Sequence, residues 1–589
     1  MAAFLSISSG CHTEPSGPPG VAARIVVVAG DSQSGVVGSE LPTPLVVRVL
    51  DSAGVPISDQ LVNFVVTAGG GHVFAGASLT NADGLSQERW TLGTSVADSQ
   101  RVAARAVDNT TGQPLTYAEF RATARAGLPQ SVNKVRGDHQ EGPVGTPLAD
   151  SLTVRVADKY GNPVNGITVA WSSIRGGGTL NPSASTTDGS GLAATEWSPA
   201  DTGADSVTAT APAMPSVFFG ASAFLVLRYT QVATGWDVSC GLSDAGAAYC
   251  WGSDIHGALG TAGTSATCFG GLTCSPKPVP VGGGLTFSTV ATNGEVSCGL
   301  SSGSAYCWGT NFYGLLGNGT WSGSNPPPQF TPMPVSGGLQ FTAIATSIEE
   351  VCALATGGAI YCWGGLGTPA HPDSANVPTA VGNGLTFQSV TVANDHACGL
   401  TVGGAAYCWG RGDVGQLGYG GTSDTTAPAL VAGGLTFTSI TAGSSHTCGL
   451  VSGGAAYCWG AGAVGDTAKD FCPPQCNLTP QPVSGGVTFA HISAGEAHTC
   501  ALTVSGAAYC WGTSGYGVGS DLGDGTNASH DLMTPVAGGL SFVSISGGLY
   551  FTCGITTAGD AYCWGANYSG QLGNGSLSDS NQPVKVTHP

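Results

Sequence analysis

Along the whole chain, short runs in which apolar and polar residues alternate are cut by glycine, proline, asparagine and aspartate. Leu45-Val46-Val47-Arg48-Val49 and Val62-Asn63-Phe64-Val65-Val66 are typical. A period of two belongs to a strand with one buried face, and closely spaced turn residues keep such strands short. Composition points the same way. Gly (94) and Pro (34) supply about a fifth of the 589 residues, and in a helix interior they cost roughly 1 and 3 kcal/mol each. The pattern predicts an all-β chain, long enough for three or four domains of roughly 100–200 residues.

Two repeats organise the runs. Residues 30–90 match residues 137–197 at a constant offset of 107. Gly30, Asp31, Gln33, Gly35, Gly38 and Leu41 recur as Gly137, Asp138, Gln140, Gly142, Gly145 and Leu148. The match runs on through Val47-Arg48-Val49, Asp51, Gly54 and Pro56 to Gly69-Gly70-Gly71, Gly84 and Trp90. At roughly 100 residues, each unit has the size of a two-sheet sandwich.

Gln33, the V-R-V-x-D-x-x-G-x-P strand and turn, the triple glycine and T-x-x-x-G before Trp90 resemble bacterial immunoglobulin-like domains of the invasin and intimin type. The second copy keeps this frame but has Ser190 where the first has Asp83. The resemblance implies two such domains, over 21–126 and 127–229, serving as spacers on a surface protein. It names no ligand.

From about residue 230 a Tyr-Cys-Trp-Gly tetrapeptide recurs seven times, with tryptophans at 251, 308, 363, 409, 459, 511 and 564, spaced 46 to 57 residues apart. Each repeat offers four strand-like pieces: a P-V segment, F-x-x-I/V, Cys-Gly/Ala-Leu/Ile and the tetrapeptide. Four short strands per repeat of this length predict a β-propeller. The first repeat enters at Thr230-Gln231-Val232-Ala233 with no P-V segment before it, and the seventh such segment, Pro583-Val584-Lys585-Val586, lies at the C-terminal end. That segment is expected to complete the first blade and so remove two open edges.

H-T-C-A-L (His498 to Leu502), A-Y-C-W-G (Ala508 to Gly512) and G-Q-L-G (Gly415 to Gly418, Gly570 to Gly573) resemble the regulator of chromosome condensation repeat family, whose members are seven-bladed propellers. The cysteines depart from the family pattern, standing where a Leu and a Ser are expected. In the fifth repeat Val464-Gly465-Asp466 replaces G-Q-L-G. The expected fold is all-β: two immunoglobulin-like β-sandwiches followed by a seven-bladed β-propeller over 230–589, with residues 1–20 as a signal remnant or tether.

Every repeat pairs a second cysteine with that of its tetrapeptide: Cys240 with Cys250, Cys298 with Cys307, Cys352 with Cys362, Cys398 with Cys408, Cys448 with Cys458, Cys500 with Cys510 and Cys553 with Cys563. Folded as symmetric hairpins, six of them leave a three-residue loop ending in glycine, while the pair Cys298 and Cys307 leaves Ser302-Gly303. Directly opposed Cα atoms lie about 4.5–5.5 Å apart, a spacing that a disulfide accepts. The alternative is seven pairs of small buried thiols. Zinc fits less well, since two ligands per blade do not make a tetrahedral set. Cys268 with Cys274 and Cys472 with Cys476 would each pin a connector loop. Cys11 is left over. Ser9-Gly10-Cys11 after Leu5 and Ile7 resembles the end of a bacterial lipoprotein signal, with Ser8 where Leu is usual, and implies a lipid anchor; a disordered tail is the alternative. Bridged cysteines mean an oxidising compartment, so the chain is expected to be exported, at the cell surface or outside.

Charge excludes one class of partner. Of the 17 basic residues only Lys277, Arg411, Lys469 and Lys585 lie beyond 230, against 18 acidic ones, so this part holds −14 of the net −19. Such a surface repels a phosphate backbone, and no nucleic acid is expected. No apolar run approaches the ~20 residues of a membrane span, which leaves a lipid anchor at Cys11 as the only expected membrane attachment.

Neither a G-x-x-x-x-G-K-[ST] loop nor an H-E-x-x-H helix occurs. Gly299-Leu300-Ser301-Ser302-Gly303 spells G-x-S-x-G, but in a hairpin turn instead of the strand-to-helix elbow that motif needs. His396, His446 and His498 share one repeat position and read as structural hydrogen-bonders. Asp521 and Asp524 read as a solvated turn, since their alternation is incomplete for a calcium loop. No catalytic, cofactor or metal site is expected. Connectors from the tetrapeptide to the P-V segment vary most in length and carry Phe269, Phe312, Tyr313, Trp321, Phe471 and Tyr516, with Phe330, Tyr419 and Tyr568. Aromatics on variable loops over a rigid scaffold are where binding usually resides. The expected function is a non-enzymatic, monomeric binding or adhesion protein for a protein or glycan. The alternative is a regulator of another protein, as a secreted enzyme inhibitor before a nucleotide exchange factor.

Overall fold

The computed structural model describes residues 20–263, 266–320, 327–365, 375–382, 384–465, 476–512 and 521–589. Cys11, Trp321, Phe471, Cys472 and Tyr516 lie outside the described residues, as does the side chain of Phe269. The described residues form strands, turns and two short 3-10 segments, and divide into two compact units, Met1–Leu225 and Val226–Pro589.

The first unit contains two sandwiches of one topology. In the first, Arg24–Ala29, Leu45–Leu50 and Leu85–Glu88 face a five-stranded sheet in which Gln33–Val36 runs parallel to Pro114–Arg125. In the second, Gln140–Pro143 runs parallel to Val217–Phe224 in the same place. The repeated glutamine explains this. Gln33 Nε2 donates to the carbonyls of Gly30 and Thr43 while its Oε1 accepts from Thr43 N. Gln140 does the same with Gly137 and Asp150, bolting a sheet-switching segment to its neighbour. The cores also correspond: Val47, Phe64, Trp90 and Val102 in the first, Val154, Trp171, Trp197 and Val207 in the second, all buried.

Among the described residues the second unit holds seven sheets, each with four strands in chain order. The first comprises Tyr229–Thr234, Val238–Ser243, Ala248–Ser253 and Thr273–Pro280, with Ala266–Thr267 added outside; the seventh comprises Phe542–Gly547, Phe551–Thr556, Ala561–Gly565 and Ser580–Lys585. The second strand of the first sheet, Val238–Ser243, is buried at every residue, and those of the other sheets at all or all but their last, because both faces are covered. The unit starts slightly ahead of residue 230, since Leu227 and Tyr229 pack with Phe551 and Ile555.

The C-terminal strand does not complete the first sheet. Ser580–Lys585 pairs within the seventh, Tyr562 opposite Lys585 and Cys563 opposite Val584, and the first sheet supplies its own outer strand, Thr273–Pro280. The ring closes instead by face-to-face packing of the first inner strand against the seventh sheet. Indole groups tie six of the seven seams among the described residues. Nε1 of Trp251 donates to Gln571 O at 2.9 Å, Trp308 to Ala258 O at 2.9 Å, Trp363 to Leu315 O at 3.0 Å and Trp459 to Gln416 O at 2.9 Å. Trp511 and Trp564 reach Ala463 O and Asp521 O in the same way. Each of these six indoles lies under a connector of the preceding sheet, at a turn glycine that has no room for a side chain. At Gly573, with φ +65°, a Cβ would sit 2.7 Å from Trp251 Nε1. This contact accounts for the final glycine of G-Q-L-G.

All seven hairpin cysteine pairs are disulfide-bonded across directly opposed positions, with Cα atoms 4.0–4.1 Å apart. Cys240 is bonded to Cys250, Cys298 to Cys307, Cys352 to Cys362 and Cys398 to Cys408. Cys448 is bonded to Cys458, Cys500 to Cys510 and Cys553 to Cys563. The spacing is slightly tighter than the 4.5–5.5 Å expected for opposed strand positions, and in none of the seven sheets does a pair of free thiols remain. Cys268 is bonded to Cys274 as well, whereas the partner expected for Cys476, Cys472, lies outside the described residues. Glu350, Cys352 and Cys362 cluster tightly, but the sulfurs are bonded to each other and offer no thiolate to a metal. Ser301 pairs with Ser304 across the two-residue turn, so the G-x-S-x-G spelling lies on a hairpin.

Candidate ligand-binding face

The loop from inner to second strand ends in a three-residue tip in each sheet: 235–237, 293–295, 347–349, 393–395, 443–445, 495–497 and 548–550. The tips interlock around the axis. Trp236 N donates to Asn293 O, the Asn293 side chain to Ser347 O, and the Asn394 side chain to Ser444 Oγ. Bonds from Ser444 N to Glu496 O, from Glu496 N to Gly548 O and from Leu549 N to Gly235 O carry the series round from the fifth tip to the first. Tip residues of all seven sheets line an axial cavity of about 100 Å³. The connectors begin on these same tips: Ser253 N donates to Asp237 O, Thr310 N to Glu295 O, Arg411 N to Asp395 O and Ala566 N to Tyr550 O. Tips and connectors therefore share one face.

Carboxylates dominate that face. Asp237, Glu295, Glu349 and Asp395 follow one another on four consecutive tips. Burial pushes the Glu295 carboxyl up, and Glu349 and Asp237 add to the effect. Burial likewise raises Glu349, with Asp395 and Glu350 repelling its charge. Arg411 is the cation among them, bonded to Asp395 at 3.1 Å and Asp413 at 2.8 Å. Tyr568 is pushed up to about 12, first by burial and then by Asp237.

The connector aromatics divide by packing. Tyr313 and Tyr568 are each 38% exposed. Phe312 is half-buried, edge-on to His256 at 6.4 Å, and Tyr419 closes its own loop by bonding both N and O of Ser423. Phe330 packs by Gly257. Asp524 caps Thr526 and meets His530 at 2.8 Å, the arrangement of a self-satisfied turn. An aromatic missed in the sequence is Trp236, 41% exposed on the first tip. The tip acids were missed too. They occupy one repeat position, just ahead of the histidine position, but Ser445, Ala497 and Tyr550 stand there in the other sheets, which hides the series.

The three histidines are structural. His396, His446 and His498 are buried, each with Nε2 2.8 Å from a threonine hydroxyl of the next sheet: Thr447, Thr499 and Thr552. Thr447 gives its only proton to Gln416 O, so His396 donates from Nε2. Burial holds His396 at about 4 and His446 at about 3.

Residues 403–450 and 558–589 match the regulator of chromosome condensation (RCC1) repeat, and a second description of this repeat matches 437–465, 489–518 and 542–571. These matches lie in the second unit, from its fourth sheet onward. Residues 149–217, in the second sandwich, match the bacterial Ig-like domain (group 1). The ultraviolet-B receptor UVR8 of Arabidopsis thaliana is 38% identical over 116 residues, 19% of this chain and 26% of the receptor. The inverse autotransporter adhesin YeeJ of Escherichia coli (strain K12) is 30% identical over 177 residues, 29% of this chain and 7% of the adhesin. The chain thus spans about a quarter or less of these curated relatives. Prp20p from Saccharomyces cerevisiae, 20% identical with a TM-score of 0.50, covers 61% of this chain and 87% of its own, and shares the propeller fold of the RCC1 repeats.

Proposed function

We propose that the chain is an exported, non-enzymatic binding or adhesion protein of the cell surface, in which two Ig-like domains carry a seven-bladed RCC1-type head that recognises a protein or glycan. The observation that carries this reading is the single face on which the tips and connectors meet. It presents exposed aromatics, Trp236, Tyr313 and Tyr568, on loops fixed by a hydrogen-bonded belt and a disulfide-bonded scaffold. Loops ordered in advance lower the entropy cost of binding. The likeness of part of the chain to an adhesin and the eight disulfides among the described residues support a place outside the cytoplasm. Trp321, Phe471 and Tyr516 belong to connectors of the same kind and are proposed for the same face, and Cys11 as the lipid anchor.

The test is capture of partners from arrays of glycans and surface proteins by the intact, unreduced chain. Trp236→Ala with Tyr313→Ala should weaken capture at least tenfold while melting stays within a few degrees. Normal capture by that variant, together with loss of capture on substituting the hairpin turns around Gly404 and Gly454, would place recognition on the opposite face.

A further inference from the structure

The first unit carries a device at the joint between its two sandwiches. In both, an aspartate folds the turn after the V-R-V strand. Asp51 Oδ1 accepts from the backbone N of Ala53 and Val55, and Asp158 Oδ1 from Tyr160 and Asn162, each at 2.9 Å. The second carboxylate oxygen holds the residue leading into its own sandwich: Gly20 N lies 3.4 Å from Asp51 Oδ2, and Gly127 N lies 2.9 Å from Asp158 Oδ2. One position of the turn differs. The fourth residue after the aspartate is Val55 in the first copy, 55% exposed, and Asn162 in the second, 7% exposed.

Asn162 uses both ends of its amide to join the two sandwiches. Nδ2 donates to Thr94 O at 2.8 Å and to Asp158 Oδ2 at 2.9 Å, while Oδ1 accepts from Val96 N at 3.0 Å. Thr94 and Val96 belong to the first sandwich, in the loop ahead of Gln100–Val107. Beside this contact Tyr160 lies so close to Gly38 that a Cβ there would be 2.6 Å from its hydroxyl oxygen.

We propose that Asn162, set by Asp158, is a lock that makes the two sandwiches one rigid body. Domains joined by a short linker move relative to each other unless their interface holds them. A buried amide satisfied from both sides holds them at one angle, because tilting strands Thr94 O and Val96 N without partners. The same Asp158 that folds the turn fixes Gly127, the linker residue, so linker and lock share one anchor. The inference does not depend on what the second unit binds.

Asn162→Val is the test, since it installs the residue that the first sandwich carries in the same turn, where Val55 N makes the matching bond to Asp51. Spin labels on Asp83→Cys and Ser190→Cys, exposed and equivalent positions of the two sandwiches, report the joint in the full-length, disulfide-intact chain with Cys11→Ser. The parent should give one narrow distance distribution. Asn162→Val should at least double its width and speed amide exchange over residues 93–97 at least tenfold, with an unchanged far-ultraviolet circular dichroism spectrum. Asn162→Asp, which loses the donor and sets a second carboxylate beside Asp158, should do the same and serves if the valine variant fails to fold. A broad distribution in the parent, or a narrow one with unchanged exchange in a folded variant, would overturn the lock.

Discussion

The indole Nε1 of Trp251, in the first sheet, donates at 2.9 Å to the carbonyl of Gln571, in the seventh, 320 residues further along the chain. The Ser239 hydroxyl donates to the same oxygen at 2.9 Å. Either donor alone keeps that buried carbonyl satisfied. Trp251→Phe and Ser239→Ala should therefore each cost about 1 kcal/mol, and the double variant should exceed their sum by about 1 kcal/mol or more, as it strands the oxygen. A double-mutant cycle by urea unfolding measures the coupling. Strict additivity would mean that the closure rests on packing alone.

The second prediction follows from the pairing of the C-terminal strand with its own sheet. Deleting residues 583–589 removes the ladder partners of Tyr562 and Cys563, the buried Val586 and the ion pair of Lys585 with Asp560. Amide exchange should rise first in Ala561–Gly565, whose edge is uncovered, and least in Ala248–Ser253, whose outer partner Thr273–Pro280 stays in place. Equal loosening of both strands would restore the exchanged-strand closure that the repeat count suggested.

That expectation failed for a reason internal to repeats. Strand order repeating as inner, second, third, outer can be cut anywhere, and a P-V segment serves equally as the last strand of one sheet or the first of the next. Seven tetrapeptides each followed by a P-V segment, with none ahead of the first, fit sheets that each complete themselves. The hairpin cysteines, by contrast, were legible because facing positions follow from loop length alone: Cys240 stands opposite Cys250, and the shorter loop between Cys298 and Cys307 keeps its pair opposed. The face was legible only in its variable loops. Its tips were not, since Asp237, Glu295, Glu349 and Asp395 share their position with Ser445, Ala497 and Tyr550. A search for repetition discards a position that varies, and a position that varies on a rigid frame is where recognition is built.

A third prediction concerns the staples. Protein purified after oxidising export and unfolded without reductant should show no more than about one reactive thiol among its 19 cysteines. Ten or more would refute the bridged state. Cys398→Ser with Cys408→Ser frees one hairpin and should cost roughly 2–3 kcal/mol by the chain-entropy argument for so short a loop, read as a lowered urea midpoint under non-reducing conditions.

The last prediction is a dependence on pH whose sign is set by the buried histidines. His396 and His446 are held at about 4 and about 3 by burial, while in the unfolded chain each titrates near ~6.5. Below that value the unfolded state takes up a proton that the native state refuses. Their contribution is therefore full above about pH 6.5 and is lost as pH falls toward 4, on the order of 2–3 kcal/mol for each histidine at the end of that range. The tip acids act the other way. Burial and mutual repulsion raise Glu295 and Glu349, so protonating them on acidification relieves the native state. The slope of the intact protein mixes both, and a single-site difference separates them. His446→Gln should be less stable than the parent by about 1–2 kcal/mol at pH 7.5, where it gives up a well-placed bond to Thr499. The gap should close or reverse by pH 4, because the variant has no histidine there to leave uncharged. Urea unfolding at pH 7.5, 6, 5 and 4 gives the two curves. If they run parallel throughout, native His446 takes up its proton as readily as in the unfolded chain, and burial does not hold it neutral.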